Sequence, residues 1–299
     1  MAFKSGFVAI IGRPNVGKST LINAILKHKI AITTPKAQTT RNNIRGIYTN
    51  PDCQIIFVDT PGIHEPQQLL GTEMVKEAWS SLSGVDVVYF LIDAKKGYTD
   101  SDDYILNQLK KKKLPIILIV NKVDLIARPN LLKLVNSLNQ DDFNEIIPVS
   151  ALKAENLTEL LNTTLNYLKD DVKYYPEDQL VDYPEQFIIA ELVREKIMLL
   201  TKEEIPHSVA VYLEKMEFKR ESATIYATIL VEKDSQKGII IGKGGSMLKK
   251  IGTMARPEIE TLLGKRVYLE LFVRVEKDWR NRENQLKQLG FVIPETKNE

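Results

Sequence analysis

The stretch Gly12-Arg13-Pro14-Asn15-Val16-Gly17-Lys18-Ser19-Thr20 carries the most specific chemistry in the chain. Two glycines with four residues between them, followed by Lys-Ser, lie between a Val/Ile-rich run at 7–11 and a helical pattern at 18–27. That context lets backbone N–H groups face phosphate oxygens at a helix N-terminus, where the dipole favours negative charge. In such a loop Lys18 reaches the β- and γ-phosphates of a nucleoside triphosphate, and the Ser19 hydroxyl ligates Mg2+.

Four further segments narrow the nucleotide and the reaction. Asp59-Thr60-Pro61-Gly62 closes the apolar run at 54–58. Asp59 suits a Mg2+ ligand acting through water, and the Gly62 N–H suits a γ-phosphate contact. Asn121-Lys122-Val123-Asp124 follows the run at 115–120. The Asp124 carboxylate can accept two hydrogens from guanine, a pair that adenine lacks, so the wrong base would leave it unsatisfied. Lys122 is expected over the base, with Asn121 tying this loop to the phosphate loop. Ser150-Ala151-Leu152 ends the run at 145–149, where the Ala151 N–H could meet guanine O6. Gln38-Thr39-Thr40-Arg41-Asn42 lies between the first helix and the second strand. One threonine there completes the Mg2+ shell when a γ-phosphate is present; Thr40 is preferred and Thr39 is the alternative. In this order the motifs predict a GTPase domain, with Lys18, Thr40, Gly62 and Asn15 closest to catalysis.

Position 63 is informative because it is Ile63. Many GTPases place a water-orienting glutamine directly after the Asp-x-x-Gly turn, and isoleucine cannot do that work. His64 follows and is read as a bystander. Hydrolysis is therefore expected to be slow unaided. A potassium ion near Asn15, beside the β- and γ-phosphates, is a candidate source of the missing charge.

A second glycine loop, Ile241-Gly242-Lys243-Gly244-Gly245-Ser246, has two residues between its outer glycines instead of four and lacks a Lys-Ser pair. Gly-x-x-Gly entering a helix is the pattern of a KH module, which clamps the backbone of about four nucleotides of single-stranded RNA. Lys249 and Lys250 are expected to face outward on that helix. From 233 to 266 there are eight basic residues against three acidic ones, whereas the whole chain carries a net charge of only +2. That contrast fits local positioning of one strand and argues against binding by bulk charge.

These loops need a scaffold of two kinds. Val/Ile-rich runs at 7–11, 54–58, 85–93, 115–120 and 145–149 alternate with helical patterns, which indicates a doubly wound α/β domain with a mostly parallel sheet over 1–170. Residues 171–186, with two prolines and no apolar periodicity, read as a linker. Over 187–299 a helix, two strands, the second loop, a helix and a strand form an α+β unit, followed by an amphipathic segment with Trp279, Leu286, Leu289 and Phe291. The lone Cys53 reads as a small buried hydrophobe, no zinc spacing occurs, and no run approaches the roughly 20 apolar residues of a membrane-spanning helix. The start of the chain carries no signal-peptide pattern, so a cytoplasmic location is expected.

The full order of motifs resembles the Era family of bacterial GTPases, in the TrmE–Era–EngA group. The resemblance rests on the GTPase motifs, "YYPEDQLVDYPEQF", "ELVREKI", "IPHSVAV", "IIIGKGG" and "DWRNRENQLKQLGF". It implies a Ras-like GTPase domain followed by a type II KH domain. It also implies GTP and GDP as ligands, the single-stranded 3′ end of 16S rRNA and the 30S subunit as partners, and a monomer assisting 30S assembly with peripheral contact to the inner membrane.

Overall fold

The computed structural model describes residues 3–36, 39–63, 65–66, 68–169, 171–203 and 205–291; Gln38 and His64 lie outside the described residues. The chain divides into two compact units, the first comprising Met1–Thr33, Gln38–Glu65 and Met74–Asp182, and the second Thr34–Ala37, Pro66–Glu73 and Tyr183–Glu299.

The elements of the first part of the chain are β1 (Lys4–Gly12), α1 (Lys18–Leu26), β2 (Ile44–Asn50), β3 (Cys53–Asp59), α2 (Leu69–Ser80), β4 (Val87–Asp93), α3 (Asp100–Lys110), β5 (Ile116–Asn121), α4 (Arg128–Ser137), β6 (Glu145–Val149), α5 (Leu157–Thr164) and β7 (Val181–Asp182). They build a seven-stranded sheet in the order β6-β5-β4-β1-β3-β2-β7. The pairs β1–β3, β1–β4, β4–β5 and β5–β6 are parallel. Every residue of β3, β4 and β5 is buried, which is why these strands read as unbroken apolar runs and not as alternating ones. The parallel arrangement sets the carboxyl ends of β1, β3, β5 and β6 along one edge of the sheet, and the loops at Gly12, Asp59, Asn121 and Ser150 start there.

Two strands were not expected. Strand β2 runs antiparallel to β3. Its sequence, IRGIYTN, mixes polar residues with Gly46 and offers no clean period. Gly46 is needed for packing: a Cβ there would lie 2.8 Å from the side chains of Leu26 and Ile30. The hairpin turn is held by Asn50, whose Oδ1 accepts the N–H groups of Asp52 (2.8 Å) and Cys53 (2.7 Å). The two-residue β7 pairs with β2, antiparallel, inside the stretch read as a linker. Upstream, the buried Gln54 accepts the N–H groups of Tyr174 and Tyr175 and donates to the Tyr175 carbonyl. A backbone laid down by one glutamine leaves no apolar periodicity, so the sequence could not reveal it.

The second part of the chain forms α6 (Glu185–Leu200), the short α7 (Ile205–Ser208), β8 (Ala210–Phe218), β9 (Ser222–Val231), α8 (Asp234–Ile241), α9 (Ser246–Leu263), β10 (Arg266–Val275) and α10 (Glu283–Gln288). Its three-stranded sheet has the order β10-β9-β8; β8 pairs antiparallel to β9, and β10 parallel to β9. Ile189, Val193 and Ile197 of α6, Ile225 and Ile229 of β9, and Ile251, Ala255 and Ile259 of α9 are fully buried, with Trp279 donating its indole N–H to Ser208 O at 2.9 Å. α8 is a further helix that the pattern did not predict, because Ile239–Ile241 is a β-branched run beside Gly238. Gln236 secures its start by accepting the N–H groups of Glu232 and Lys233. At the end of α6, the carbonyls of Met198 and Thr201 accept hydrogen bonds from Lys36. Burial and the neighbouring Lys202 lower the Lys36 pKa.

Candidate nucleotide site and a second glycine loop

The first glycine loop is held from four sides. Gly17 has φ +103°, and a Cβ there would come within 2.2 Å of Asn121 Nδ2. Gly12 is closed in by Leu91 O, at 2.6 Å from a hypothetical Cβ, and Gly62 by the Pro14 backbone at 2.8 Å. Both loops thus meet at backbone distance, and the Ile63 N–H donates to Gly12 O at 3.2 Å. The Ile63 side chain is buried in the apolar core, as expected of a residue that cannot orient water. Thr60 donates to Ile10 O at 2.6 Å, and Pro61 is buried beside it.

Ser19, Thr40 and Asp59 come together although they lie on α1, the loop before β2, and the end of β3. Ser19 Oγ donates to Asp59 Oδ2 at 2.7 Å and lies 2.8 Å from Thr40 Oγ1. Asp59 Oδ1 is buried with no hydrogen-bond partner among the described residues. Burial pushes the Asp59 carboxyl up to about 6, against the pull of Lys18, Ser19 and Thr40. Lys18 is buried as well, and burial lowers its ammonium to about 8 despite the nearby Asp59. Its Nζ donates to the carbonyls of Gly12 and Arg13, both at 3.1 Å. Three hard oxygen donors and an unsatisfied carboxylate oxygen fit a small divalent cation. Among the described residues no cluster of three His, Cys, Asp or Glu side chains offers another metal centre. Thr20 continues α1, Arg41 and Asn42 are buried, and the loop is carried onward by Asn43, whose N–H donates to Glu77 Oε1 at 3.0 Å.

The base-side residues are also brought together. Asn121 Nδ2 donates to Val16 O at 2.8 Å, and the Ala151 N–H donates to Asn121 Oδ1 at 3.0 Å. One side chain therefore joins the phosphate loop to the Ser150 loop. Ser150 Oγ donates to Asp124 Oδ1 at 2.6 Å, which fixes the orientation of the carboxylate. Lys122, at φ +66°, donates to Asn15 O at 2.6 Å and to Asp93 Oδ2 at 2.7 Å. Val123 begins the short turn that carries Asp124, and Leu152 is 79% exposed, so it borders the site by backbone alone.

Two supporting acids were missed. Asp93 ends β4 just as Asp59 ends β3, a signal visible in "FLID". Burial works to raise its pKa, but the hydrogen bond and charge of Lys122, with the Lys95 and Lys96 N–H groups, outweigh that and hold it low. Asp102 is completely buried and accepts from Arg13 Nε at 2.7 Å, while its other oxygen takes the Thr99 N–H and hydroxyl. The Thr99-x-x-Asp102 capping box announced that residue's place at the start of α3, though not its hold on Arg13.

The second glycine loop is built differently. Gly242 ends α8 at φ +71° and lies tight against Met247, with a hypothetical Cβ 2.8 Å away. Gly244 (φ +58°) and Gly245 (φ +79°) have nothing within 4 Å of such an atom. Lys243, Gly244 and Ser246 are exposed, Ile241 is half-buried, and the Gly245 N–H closes the turn onto Gly242 O. Ser246 opens the 18-residue α9, on which Lys249 and Lys250 are exposed, as expected.

Comparison with known proteins follows the same division. Residues 7–122 match the family described as 50S ribosome-binding GTPase, and residues 204–280 match the KH domain family. A crystal structure of Era in complex with MgGDPNP and nucleotides 1506–1542 of 16S ribosomal RNA is 43% identical, with a TM-score of 0.95, covering 97% of this chain and 100% of that one. A point variant of Aquifex aeolicus Era bound to GDP and AlF4− is 42% identical, with a TM-score of 0.94, over 97% of this chain and 100% of its own.

Proposed function

The chain belongs to the Era family of GTPases, and from that premise we propose that it couples GTP hydrolysis at the first loop to RNA binding at the second. The observation that carries the first half is the meeting of Ser19, Thr40 and Asp59 beside Lys18, with Asp59 Oδ1 unsatisfied. Ser19 and Thr40 would hold Mg2+ directly, and Asp59 would hold it through water. When bound, Mg2+ neutralises charge on the β- and γ-phosphate oxygens. Lys18 adds a positive charge at the same oxygens. The Gly62 N–H contacts the γ-phosphate, so the loop after Asp59 senses its presence. Asp124, oriented by Ser150, reads guanine, while Asn121 holds base side and phosphate side in register. The Ala151 N–H would share its hydrogen between Asn121 and guanine O6. Asp124→Asn should weaken GTP binding about 100-fold and favour xanthosine triphosphate; unchanged GTP affinity would remove Asp124 from this role.

Water attacks the γ-phosphorus, the bond to the β-phosphate oxygen breaks, and GDP and phosphate leave. With the Ile63 side chain in the core, no side chain at that position directs the water. A potassium ion beside Asn15, whose carbonyl is pinned by Lys122, is our candidate for the missing charge. Equal turnover in sodium and potassium salts would overturn it.

The second loop would hold single-stranded RNA. That a solved Era carries nucleotides 1506–1542 of 16S rRNA supports the 3′ end of that RNA as the ligand here, and the 30S subunit as the assembly served. Control by nucleotide is supported by chain connectivity. Lys36, four residues before Thr40, is bonded to the end of α6, and Leu69 N–H, seven residues after Gly62, donates to Asn281 Oδ1. Ordering of Thr40 and Gly62 by a γ-phosphate would be felt through those stretches, and RNA must then alter GTP affinity by the same factor. The test is binding of a labelled 16S 3′-end RNA with GDP and with a slowly hydrolysed GTP analogue, beside Gly245→Asp. Tighter binding with the analogue, lost in the variant, is expected; binding indifferent to nucleotide would remove the coupling.

A second reading is favoured by Ile63 alone: a scaffold that holds GTP without useful turnover. Absence of single-turnover hydrolysis both with and without RNA would select it. The proposed protein is a cytoplasmic monomer that touches the inner membrane peripherally. Sedimentation and vesicle flotation check these two properties, and no helix among the described residues is long and apolar enough to cross a bilayer.

A further inference from the structure

Far from the glycine loop, the second unit contains a cleft with no assigned role. It has a volume of about 610 Å3 and lies where the β8–β9 turn, the last turns of α9 and the α9–β10 turn converge. Arg220, Lys265 and Arg266 line it, together with Glu221 and Glu260. None of the three cations forms a salt bridge with a described residue, whereas Arg194, Arg274, Arg280 and Arg282 of the same unit are all paired. Glu260 is not a free counter-ion, because its Oε1 accepts the Val267 N–H at 2.9 Å. The end of a helix attracts cations in its own right, which could account for Lys265 and Arg266 just beyond α9. It does not account for Arg220, which comes from a different element.

One exposed aromatic ring flanks these charges: Phe218 is 54% exposed, with Lys265 Nζ 5.6 Å from its ring centroid. Cations without salt bridges beside an exposed ring suit a single strand, whose phosphates need charge and whose bases stack on any π-face, although Lys265 Nζ also donates to Lys219 O at 3.3 Å. One helix runs from the RNA loop to the cleft. Gly245 and Gly264 bracket the 18 residues of α9, about 27 Å of helix at 1.5 Å per residue. Lys249, Lys250 and Arg256 lie exposed along that helix between the two.

Resting on the RNA-binding reading above, we propose that this cleft is a second phosphate subsite, which holds the single strand where it continues beyond the nucleotides gripped at Gly242–Gly245. Arg220, Lys265 and Arg266 take the backbone, and Phe218 stacks a base. The ligand is the RNA that occupies the glycine loop, not a separate molecule, so the subsite adds affinity only to strands long enough to reach it.

The experiment compares a tetranucleotide with an RNA about three times as long. Both are titrated over a salt series against the full chain and against the triple variant Arg220→Gln/Lys265→Gln/Arg266→Gln. All three side chains are at the surface, and matching unfolding temperatures will confirm that the variant is folded. The variant should bind the tetranucleotide as the wild type does, bind the long RNA about tenfold more weakly, and lose about 2 from the slope of log affinity against log salt. Equal long-RNA affinity and equal slope would overturn the subsite while leaving the glycine loop intact. A wild type that binds neither RNA would overturn the RNA reading itself. Loss of binding to phosphatidylglycerol vesicles, with RNA affinity unchanged, would reassign the cleft to a lipid surface and end this proposal.

Discussion

The two glycine loops use the same residue for opposite reasons. In the first, glycine is demanded by neighbours: Gly12, Gly17 and Gly62 each have another group where a side chain would start. In the second, Gly244 and Gly245 are surrounded by open space, and only their positive φ asks for glycine. The first loop is therefore a junction, tied to Asp102, Asn121 and Lys122 and shut against the Asp59 loop. The second is a presenting surface that touches little besides its own turn. A loop that must respond to one phosphate needs many connections. A loop that must admit a long, variable strand needs few.

The sharpest way to break this comparison is Gly17→Ala. A methyl placed 2.2 Å from Asn121 Nδ2, at φ +103°, must displace the junction. GDP affinity should fall at least 100-fold, equivalent to about 3 kcal/mol, and the unfolding temperature should fall with it. Nucleotide titration with unchanged affinity would mean that the loop is as open as the second one.

Next in size is Asp59→Asn, which should separate function from stability. The buried carboxyl has its pKa raised from 3.8 to about 6, so the folded state binds the proton more tightly than the unfolded state. Between about pH 4 and 6 the metal-free wild type should lose stability as pH rises, and above that window the full cost of ionising the buried group remains. The asparagine variant lacks that cost. At pH 7 without Mg2+ it should be more stable by about 2 kcal/mol, while Mg2+-dependent hydrolysis should drop steeply. A variant less stable than the wild type under those conditions would mean that Asp59 is held for packing and not for a cation.

Gly244→Asp probes the second loop. Aspartate tolerates the left-handed region, and no neighbour obstructs it, so stability should change by less than about 1 kcal/mol. Its charge would face phosphate, and RNA affinity should fall about tenfold with GTP turnover intact. Gly245→Asn should have the smallest effect, below about 0.5 kcal/mol on stability, with RNA binding weakened less than by Gly244→Asp. If either substitution unfolds the second unit, the loop is a packed junction after all.

Much of this was legible in the chain. The runs at 54–58 and 115–120 became β3 and β5, buried throughout, because strands covered on both faces are mostly apolar; the run at 145–149 became the half-buried edge strand β6. α9 is the helix read after the second loop; its apolar positions recur at helical spacing, and Gly264 ends it at φ +62°. β2, β7 and α8 were not legible: one depends on Gly46 fitting against α1, one on backbone pairing along an edge, and one on a β-branched run capped by Gln236.

At the site, the sequence by itself determined which groups could do chemistry, because phosphate loops, a guanine-reading carboxylate and a Gly-x-x-Gly turn depend on residue type and short spacing. Only the tertiary structure decided how they are used. It placed Thr40 Oγ1 beside Ser19, brought in Asp93 and Asp102 to hold Lys122 and Arg13, and gathered three cations without salt bridges from two turns around one cleft. The reason is that local spacing constrains a backbone over a few residues. Burial, pKa and ion pairing depend on atoms that become neighbours only when distant segments pack together.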